Sequence, residues 1–252
     1  MRNDPNIPIK SPEELIILRE AGKILAGVLE GIKSSLKIGM TTGEIDAVAE
    51  SLIQKNKVGA AFKNYHGYPA CSCISVNEEV IHGIPGKRIV KNGDIVGIDI
   101  GIIYKNYYSD MAMTFGFGDL DASRQKLLDV TRQALARGIN EARPGNRLGD
   151  ISNAIQRYVE AKGFSIVRDF VGHGIGAQLH EDPEIPNYGE PHKGPQLKAG
   201  MVFAIEPMVN MGSARTKILD DGWTAVTVDK KPSAHFEHTI AITESGPVIL
   251  TV

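Results

Sequence analysis

Two strand-like segments that lie close together in the sequence each carry one aspartate among apolar residues. They are Asp99 and Asp110, within the stretch 94–117. An ionised carboxylate without a partner is costly to bury, so it either finds a positive charge or takes up a proton. If Lys105 and Asn106 form a two-residue turn without a bulge, the period-two alternation of strands places both carboxylates on one face. We therefore predict two neighbouring carboxylates whose charge is balanced by cations or by protons.

Glycines flank Asp99 on the face that it shares. Gly97 and Gly101 each lie two residues from Asp99. The opposite face carries the aliphatic residues Val96, Ile98, Ile100 and Ile102. Glycine weakens a strand, and its usual role there is to let another group approach the backbone closely. A metal centre beside Asp99 explains the glycines and the acids together.

Two glutamates and a histidine in the second half of the chain extend this pattern. Glu206 follows one apolar run, Glu237 precedes another, and His173 lies among glycines. With the two aspartates, these residues provide four carboxylates and one imidazole. Such a set suits two oxygen-preferring divalent ions, and it differs from a zinc site built from thiolates.

Each of these residues also has a purely structural interpretation. Either aspartate can be a hairpin-end acid that accepts backbone hydrogen bonds, and Glu206 can simply end a strand. Glu237 can pair with Lys230 or Lys231 at the surface, and His173 can be a core histidine with satisfied hydrogen bonds. The joint occurrence of four acids in apolar contexts favours the metal centre.

The composition is that of an ordinary globular protein. The chain has 252 residues, of which 42% are hydrophobic and 23% charged, and its formal net charge is −2. This balance argues against nucleic acid or an anionic membrane as the main partner. Because no apolar stretch approaches the ~20 residues of a membrane span and no signal-peptide core is evident, we expect a cytoplasmic protein. Cys71 and Cys73 lie too close for an ordinary structural disulfide, which agrees with a reducing compartment.

Helical patterns in the two halves of the chain resemble each other. One helix is predicted to begin at the N-cap Ser11, a second near Thr42, a third to cover 123–141, and a fourth to end before Gly163. In each half, a glycine turn and a polar capping residue precede a helix with the same apolar phase. We therefore predict a single catalytic domain, 1–252, with a short N-terminal segment 1–10 and two related halves near 11–117 and 121–252.

Several motifs occur in the order that is typical of one enzyme family. They are "GYPACSCISVNEEVIHGIPG", Asp99 and Asp110 with ten residues between them, "GHGIGAQLHEDPEIPNY", "FAIEPM" and "FEHTIAIT". From about Ser11 onward the chain resembles the type I methionine aminopeptidases. The resemblance implies an α+β pita-bread (creatinase/aminopeptidase-like) fold, with two pseudo-symmetric halves around an antiparallel sheet and helices on the outer face. It also implies removal of the N-terminal methionine from nascent proteins and peptides, with a preference for a small second residue.

The resemblance assigns the ligands of a dinuclear metal centre. The positions that match the family's ligands are Asp99, Asp110, His173, Glu206 and Glu237. Asp110 and Glu237 match the bridging ligands. Two divalent ions per chain are implied, and Co, Mn, Fe and Zn are all candidates.

The resemblance also assigns catalytic and substrate-binding roles. Glu206 is expected to act as general base and then as proton donor to the leaving amine. His82 and His180 match positions that contact the substrate around the scissile bond, where they would hydrogen-bond the amide nitrogen and the developing oxyanion. The residues at the positions of the methionine pocket are Tyr65, Tyr68, Cys73 and Trp223.

Four positions depart from the common pattern of the family. Phe62 stands where many relatives have a small residue or cysteine, and Leu179 stands where an aromatic residue is common. Gly101 and Met111 each replace a frequent threonine. The first two changes concern the shape of the pocket, whereas the last two concern hydrogen bonds around the ligands.

The partners implied are a peptide or nascent-chain substrate and a transient contact with the ribosome, and we expect a monomer without nucleic-acid sequence recognition. Two other functions stay open: an Xaa-Pro aminopeptidase or dipeptidase of the same fold, and a non-catalytic pita-bread binding module. The Xaa-Pro enzymes use the same five ligands but usually have an extra N-terminal domain, and this chain keeps "GYP" and "NEEVIHGIP" in the form of the methionine enzymes. Retention of all five ligands argues against a binding module.

Overall fold

The computed structural model describes residues 6–252. Residues 1–5, half of the predicted N-terminal segment 1–10, lie outside the described residues. The α-helices are α1 (Pro12–Ser35), α2 (Thr42–Lys55), α3 (Ala122–Glu141) and α4 (Leu148–Ala161). None of the helices in the described part of the chain is both long and apolar enough to cross a membrane.

The strands are short, apart from one long hairpin. In chain order they are β1 (Gly59–Ala60), β2 (Ser72–Val76), β3 (Glu79–Ile81), β4 (Ile95–Tyr104), β5 (Tyr107–Gly116), β6 (Ser165–Ile166), β7 (Gly172–Gly174), β8 (Glu181–Ile185), β9 (Val202–Ile205), β10 (Met208–Asn210), β11 (Thr216–Ile218), β12 (Ala225–Thr227), β13 (Ser233–His235), β14 (His238–Thr243) and β15 (Gly246–Ile249). A single turn of 3₁₀ helix covers Tyr65–Gly67.

Capping residues fix where the first two helices begin. The Ser11 side chain accepts the backbone N–H of Glu14, and the Glu14 carboxylate accepts the N–H of Ser11, as in a capping box. The same box joins Thr41 and Glu44 at the start of α2. The N-cap of α2 is therefore Thr41, in agreement with a predicted start near Thr42, because the side chain at 41 is the one that reaches the Glu44 N–H.

The β4–β5 hairpin has the predicted turn and register. Lys105 and Asn106 both adopt positive φ, +48° and +66°, as a tight two-residue hairpin turn requires. Gly101 lies opposite Asp110, and Asp99 lies in β4 two residues before Gly101. The two carboxylates therefore share one face of the hairpin, as the alternation predicted.

The observed strand pairs are antiparallel and form four sheets. β4 pairs with β5 on one edge and with β2 and β1 on the other. A five-stranded sheet has the order β15-β14-β9-β7-β8, and two three-stranded sheets have the orders β13-β10-β6 and β11-β12-β3. These sheets carry the acidic residues of both chain halves toward each other.

The helices bury the apolar faces of the sheets. Residues of α1 and α2 form one core cluster with the aliphatic side of β4, which includes Ile98 and Ile100. Residues of α3 and α4 form another with β9 and β14, which includes Phe203 and Ile240. The carboxylates of β4 and β5 project from the side opposite the helices, in agreement with the predicted pita-bread fold. The internal relation between the halves 11–117 and 121–252 stays a prediction.

Candidate metal centre

One cavity of about 230 Å³ is lined by all five predicted metal ligands. Asp99 lies on β4, Asp110 on β5 and His173 on β7, whereas Glu206 directly follows β9 and Glu237 directly precedes β14. β9 pairs with both β7 and β14, so His173, Glu206 and Glu237 come from neighbouring strands of one sheet. The hairpin supplies the other two ligands.

The ligand atoms lie close enough to share cations. Asp110, His173 and Glu237 each offer one atom, and these three atoms lie within 4.8 Å of one another. The Oε1 atom of Glu206 lies 3.6 Å from Nε2 of His173. Asp99 lines the same cavity beside Asp110. The structure therefore brings together the carboxylates and the imidazole that the sequence singled out.

Burial separates these acids from ordinary surface carboxylates. Asp110, Glu206 and Glu237 are 4%, 9% and 2% exposed, and Asp99 is half-buried. The Oδ1 atom of Asp99 and the Oε1 atom of Glu237 are buried and have no hydrogen-bond partner among the described residues. The alternative of a surface ion pair between Glu237 and a lysine is therefore wrong, because the Glu237 carboxylate does not reach the surface.

The electrostatics of the cavity favour positive charge. Burial, reinforced by the neighbouring carboxylates, raises the pKa of Asp99, Glu206 and Glu237 well above the usual values. Burial raises the pKa of Asp110 to about 7, although the hydrogen bond from the Met111 N–H opposes the effect. Without a cation the cavity holds its acids partly protonated, whereas a bound cation would let them ionise.

The donor set fits divalent metal ions. Carboxylate oxygens with one imidazole suit Mn, Fe, Co or Zn, and the two orphaned oxygens are the atoms that such ions would satisfy. The His173 imidazole is held by a contact between its Nδ1 atom and the Gly174 carbonyl at 2.9 Å, which leaves Nε2 toward the carboxylates. Burial lowers the pKa of His173 to about 3, so it is available as a neutral ligand.

His82 lies between aromatic rings on the wall of the cavity. Its ring meets those of Phe170 and Trp223 edge to face, with centroids 5.7 and 6.4 Å away. Its backbone adopts a left-handed φ of +58°, which is uncommon outside glycine. Burial, followed by the charge of His180, lowers the pKa of His82 to about 4. It is therefore a neutral hydrogen-bonding group at neutral pH.

His180 lies at the exposed mouth of the same cavity. Its Nδ1 atom is 2.7 Å from the Tyr65 hydroxyl, and its ring centroid is 4.3 Å from that of His173. Partial burial lowers the pKa of His180 and raises the pKa of Tyr65, so a neutral imidazole faces a protonated phenol. When the phenol donates to Nδ1, the imidazole proton remains on Nε2, which can donate to a substrate.

Apolar side chains form the rest of the cavity wall. Tyr68 is fixed there because its hydroxyl donates to the carbonyls of Ser72 and Gly83 at 3.1 and 3.0 Å. Its ring meets Trp223 edge to face at 5.1 Å. Cys73 is 4% exposed, and burial raises the pKa of its thiol, so it is a wall residue in neutral form. The cavity lining contains all four predicted pocket residues, Tyr65, Tyr68, Cys73 and Trp223.

Two of the departures from the family pattern explain each other. A Cβ atom at Gly101 would lie 2.8 Å from Cε1 of Phe62 and 2.9 Å from Cβ of Ala61. The Phe62 ring thus occupies the space that a side chain at 101 would need. Leu179, the third departure, is 2% exposed and lines the cavity. Met111 still donates its backbone N–H to Asp110 at 2.9 Å.

Sequence reasoning missed His235, which lies beside the candidate general base. The residue is 4% exposed, and its Nε2 atom lies 3.5 Å from Oε2 of Glu206. Burial lowers its pKa to about 3. His235 lies two residues before Glu237 in "SAHFEHT", so its position beside a predicted ligand in a strand-like segment is the signal that could have identified it.

Known proteins with similar sequences and structures agree with this site. The sequence model of "Metallopeptidase family M24" matches residues 17–244. A "Methionine aminopeptidase 1" from Bacillus subtilis is 55% identical over 242 residues, which cover 96% of this chain and 98% of that protein. The crystal structure of a methionine aminopeptidase from Thermotoga maritima has a TM-score of 0.95 and 48% identity, and the match covers 97% of this chain and 99% of that chain.

A more distant structural neighbour belongs to the Xaa-Pro class. A prolidase from Pyrococcus furiosus has a TM-score of 0.78 and 26% identity, and the match covers 97% of this chain but 65% of that chain. Both the identity and the coverage are thus lower than for the methionine aminopeptidases. The match over residues 17–244 and the two high-identity relatives establish that the chain belongs to metallopeptidase family M24.

Proposed function

We propose that this chain is a dinuclear metal-dependent methionine aminopeptidase. The observation that carries the proposal is one cavity that has four buried carboxylates and His173 on one side and apolar side chains on the other. The acidic side can hold cations, and the apolar side can hold one uncharged side chain. An enzyme that hydrolyses the bond after an N-terminal methionine needs both.

The metal ligands would divide between two ions. We propose that Asp99, Asp110, His173, Glu206 and Glu237 would hold the ions, and the resemblance to the methionine aminopeptidases supports Asp110 and Glu237 as the ligands that both ions would share. Bound divalent ions would polarise the peptide carbonyl and lower the pKa of the attacking water. Mn, Fe, Co and Zn are all compatible with these donors.

The apolar wall would select the first residue of the substrate. A cavity of about 230 Å³ is smaller than the roughly 300–1,000 Å³ that is typical of drug-sized ligands, so it suits a single side chain. Tyr68 and Trp223 provide aromatic surface, and the buried side chains of Phe62 and Leu179 provide further apolar contact. An unbranched methionine side chain matches such a pocket better than a charged one would.

Glu206 is the candidate for proton transfer. Its buried carboxylate has a raised pKa, which suits a group that must take a proton from water and return it to the leaving amine. The nearby His235 lies 3.5 Å from Oε2, on the side away from His173, which faces Oε1. The carboxylate is thus bracketed by two imidazoles that limit its orientation.

His82 and His180 would act as hydrogen-bond donors to the reacting peptide. Both are neutral imidazoles on the cavity wall, so each can donate one N–H without bringing a full charge. We propose that they stabilise the amide nitrogen and the developing negative charge on the carbonyl oxygen. The second residue of the substrate would pass close to His82 and its aromatic neighbours, which favours a small side chain there.

The proposed setting is the cytoplasm, where a monomer would meet nascent chains at the ribosome and remain associated only transiently. The resemblance to the methionine aminopeptidases supports this setting. Sedimentation of the protein alone tests the monomer, and co-sedimentation with ribosomes at low and moderate salt tests the contact.

Release of free methionine from short peptides tests the activity. Metal-free protein is titrated with Mn or Co and supplied with Met-Gly-Met, Met-Leu-Met and an Xaa-Pro peptide. We expect metal-dependent cleavage of Met-Gly-Met, slower cleavage of Met-Leu-Met, and loss of activity in Asp110→Ala. Asp129→Ala, a change at an exposed aspartate on α3, serves as the matched control. Preferential cleavage of the Xaa-Pro peptide would support the prolidase alternative instead.

A further inference from the structure

A buried ion pair joins the N-terminal segment to the loop that carries His180. The Lys10 ammonium lies 2.5 Å from Oε2 of Glu181, and the two side chains are only 4% and 9% exposed. Glu14, the other nearby carboxylate, is occupied by the Ser11 N–H and the Tyr107 hydroxyl. Buried charges are retained at a cost, so a pair of this kind calls for a structural or functional reason.

The Lys10 residue is held at its backbone N–H and at its ammonium group, and its side chain passes close to Gly176. Its backbone N–H donates to the Gly200 carbonyl at 2.8 Å. A Cβ atom at Gly176 would lie 2.4 Å from both Cε and Nζ of Lys10, so the ammonium reaches its partner only because residue 176 is glycine. The ion pair is therefore built into the loop.

Glu181 uses its other oxygen to close the loop. Its Oε1 atom accepts the backbone N–H of Gln178 at 3.2 Å, and the Gly176 N–H donates to the Gln178 carbonyl at 3.1 Å. The Gly176 carbonyl in turn accepts the Tyr108 N–H from β5 at 2.8 Å. The segment 176–181 is thus held by β5 on one side and by Lys10 on the other.

His180 is the residue that this brace presents to the cavity. It directly precedes Glu181, and its ring makes two close contacts, with the Tyr65 hydroxyl and with the ring of His173. A displacement of the Glu181 backbone would therefore move the imidazole relative to the metal ligand. The Lys10 side chain itself does not line the cavity.

We propose that Lys10 is a positioning residue for His180, acting through Glu181. This inference rests on the proposed function, because it assigns to His180 a hydrogen bond that forms with the reacting peptide. Loss of the Lys10 contact is expected to lower kcat and to leave KM for Met-Gly-Met nearly unchanged, since the apolar pocket and the metal ligands stay in place. A misplacement of about 1 Å can cost up to about 100-fold, so we expect a decrease in kcat of about 10- to 100-fold.

A purely structural role for the ion pair makes a different prediction. Removing one partner leaves a buried charge, which lowers stability and can lower the amount of folded enzyme. Removing both charges leaves no buried charge without a partner, so the loss of stability should be reversed. Lys10→Met combined with Glu181→Gln keeps the side-chain volumes and an acceptor for the Gln178 N–H, but it lacks the ion pair.

The experiment compares the two single variants with this double variant as metal-loaded enzymes. Thermal unfolding, metal content, kcat and KM are measured for each variant. Lys105→Met serves as a control, because it removes the exposed ion pair between Lys105 and Glu20, a residue of the helix α1 that begins just after Lys10. We expect the double variant to recover the unfolding temperature but not kcat, and Lys105→Met to match the wild type. Recovery of both properties, a decrease in kcat explained by lost metal, or an unchanged kcat in folded Lys10→Met would overturn the proposal.

A second readout does not depend on turnover. In Zn-loaded protein with ¹⁵N-labelled histidine, the His180 ring resonances report its tautomer and environment, and we expect them to shift in the double variant but not in Lys105→Met. Unshifted His180 resonances would overturn the proposal even if activity fell. If the wild type itself released no methionine, the proposed function would fail, whereas this spectrum would still decide whether Lys10 positions His180.

Discussion

Asp110→Asn is predicted to stabilise the metal-free protein at pH 8 while abolishing methionine release. Burial raises the pKa of Asp110 from 3.8 to about 7 in the folded state. Below about pH 4 the carboxyl is protonated in both the folded and the unfolded protein, so its burial has no ionisation cost. Between about pH 4 and pH 7 the unfolded protein loses this proton while the folded protein keeps it, so stability falls as the pH rises through this window, and above about pH 7 the folded protein bears the full cost of the buried carboxylate.

The size of the effect follows from the change in pKa. A difference of about three pH units corresponds to about 4 kcal/mol in the free energy of unfolding. For a protein of this length, that equals a rise of about 10 °C in the unfolding temperature of the metal-free variant at pH 8. At pH 4 the variant and the wild type should unfold at similar temperatures. Asparagine keeps an acceptor for the Met111 N–H, so the local backbone hydrogen bond is preserved.

The assay is thermal unfolding of chelator-treated protein between pH 4 and pH 8. Asp129→Asn is the matched control, because the Asp129 side chain is 53% exposed on α3. We expect a falling unfolding temperature with pH in the wild type and the control, and a flatter profile in Asp110→Asn. Added Mn should raise the wild-type temperature most at high pH. Identical pH profiles for the wild type and Asp110→Asn would refute the reasoning that Asp110 carries a buried, uncompensated charge.

Three further substitutions test other parts of the site. Glu206→Gln should lower kcat about 10²- to 10⁴-fold at saturating Mn, as expected for loss of a general base; activity within a few fold of wild type would contradict that role. Gly101→Thr should destabilise the protein by about 1–3 kcal/mol because it collides with Phe62 and with Cβ of Ala61, and adding Phe62→Cys should recover in urea unfolding the part of the loss that is due to the Phe62 ring. Purely additive effects of these two changes would exclude the contact. Tyr65→Phe should lower kcat about tenfold by freeing Nδ1 of His180, with the release of methionine from Met-Gly-Met as the measurement.

Local features of the fold could be predicted because their causes lie within a few residues. The turn at Lys105 and Asn106 and the alternation of strands predict the β4–β5 hairpin and the shared face of Asp99 and Asp110. The observed register of the two strands confirms both predictions. The start of α1 follows from the Ser11 side chain. The start of α2 could be predicted only as near Thr42, because two adjacent threonines offer equivalent caps and only the three-dimensional path decides which one reaches Glu44.

Long-range features of the site could not be derived from local patterns. Alternation shows which face of a strand a side chain occupies, but it does not show which other strand lies opposite. The proximity of Glu206 and Glu237 to the hairpin was therefore expected from the apolar contexts that the four acids share and from the resemblance to a family, and not from spacing. The contact between Phe62 and Gly101 depends on packing between segments that the sequence separates by almost forty positions. The Lys10–Glu181 pair joins residues 171 positions apart.

Anomalous X-ray scattering from crystals of the Mn-loaded protein tests most directly whether the five predicted ligands form a dinuclear metal centre. Two metal peaks are expected inside the cavity, in contact with Asp99, Asp110, His173, Glu206 and Glu237. Peaks elsewhere on the molecule, or an empty cavity in crystals of protein that releases methionine in the presence of Mn, would contradict the assignment of these five residues as the metal centre.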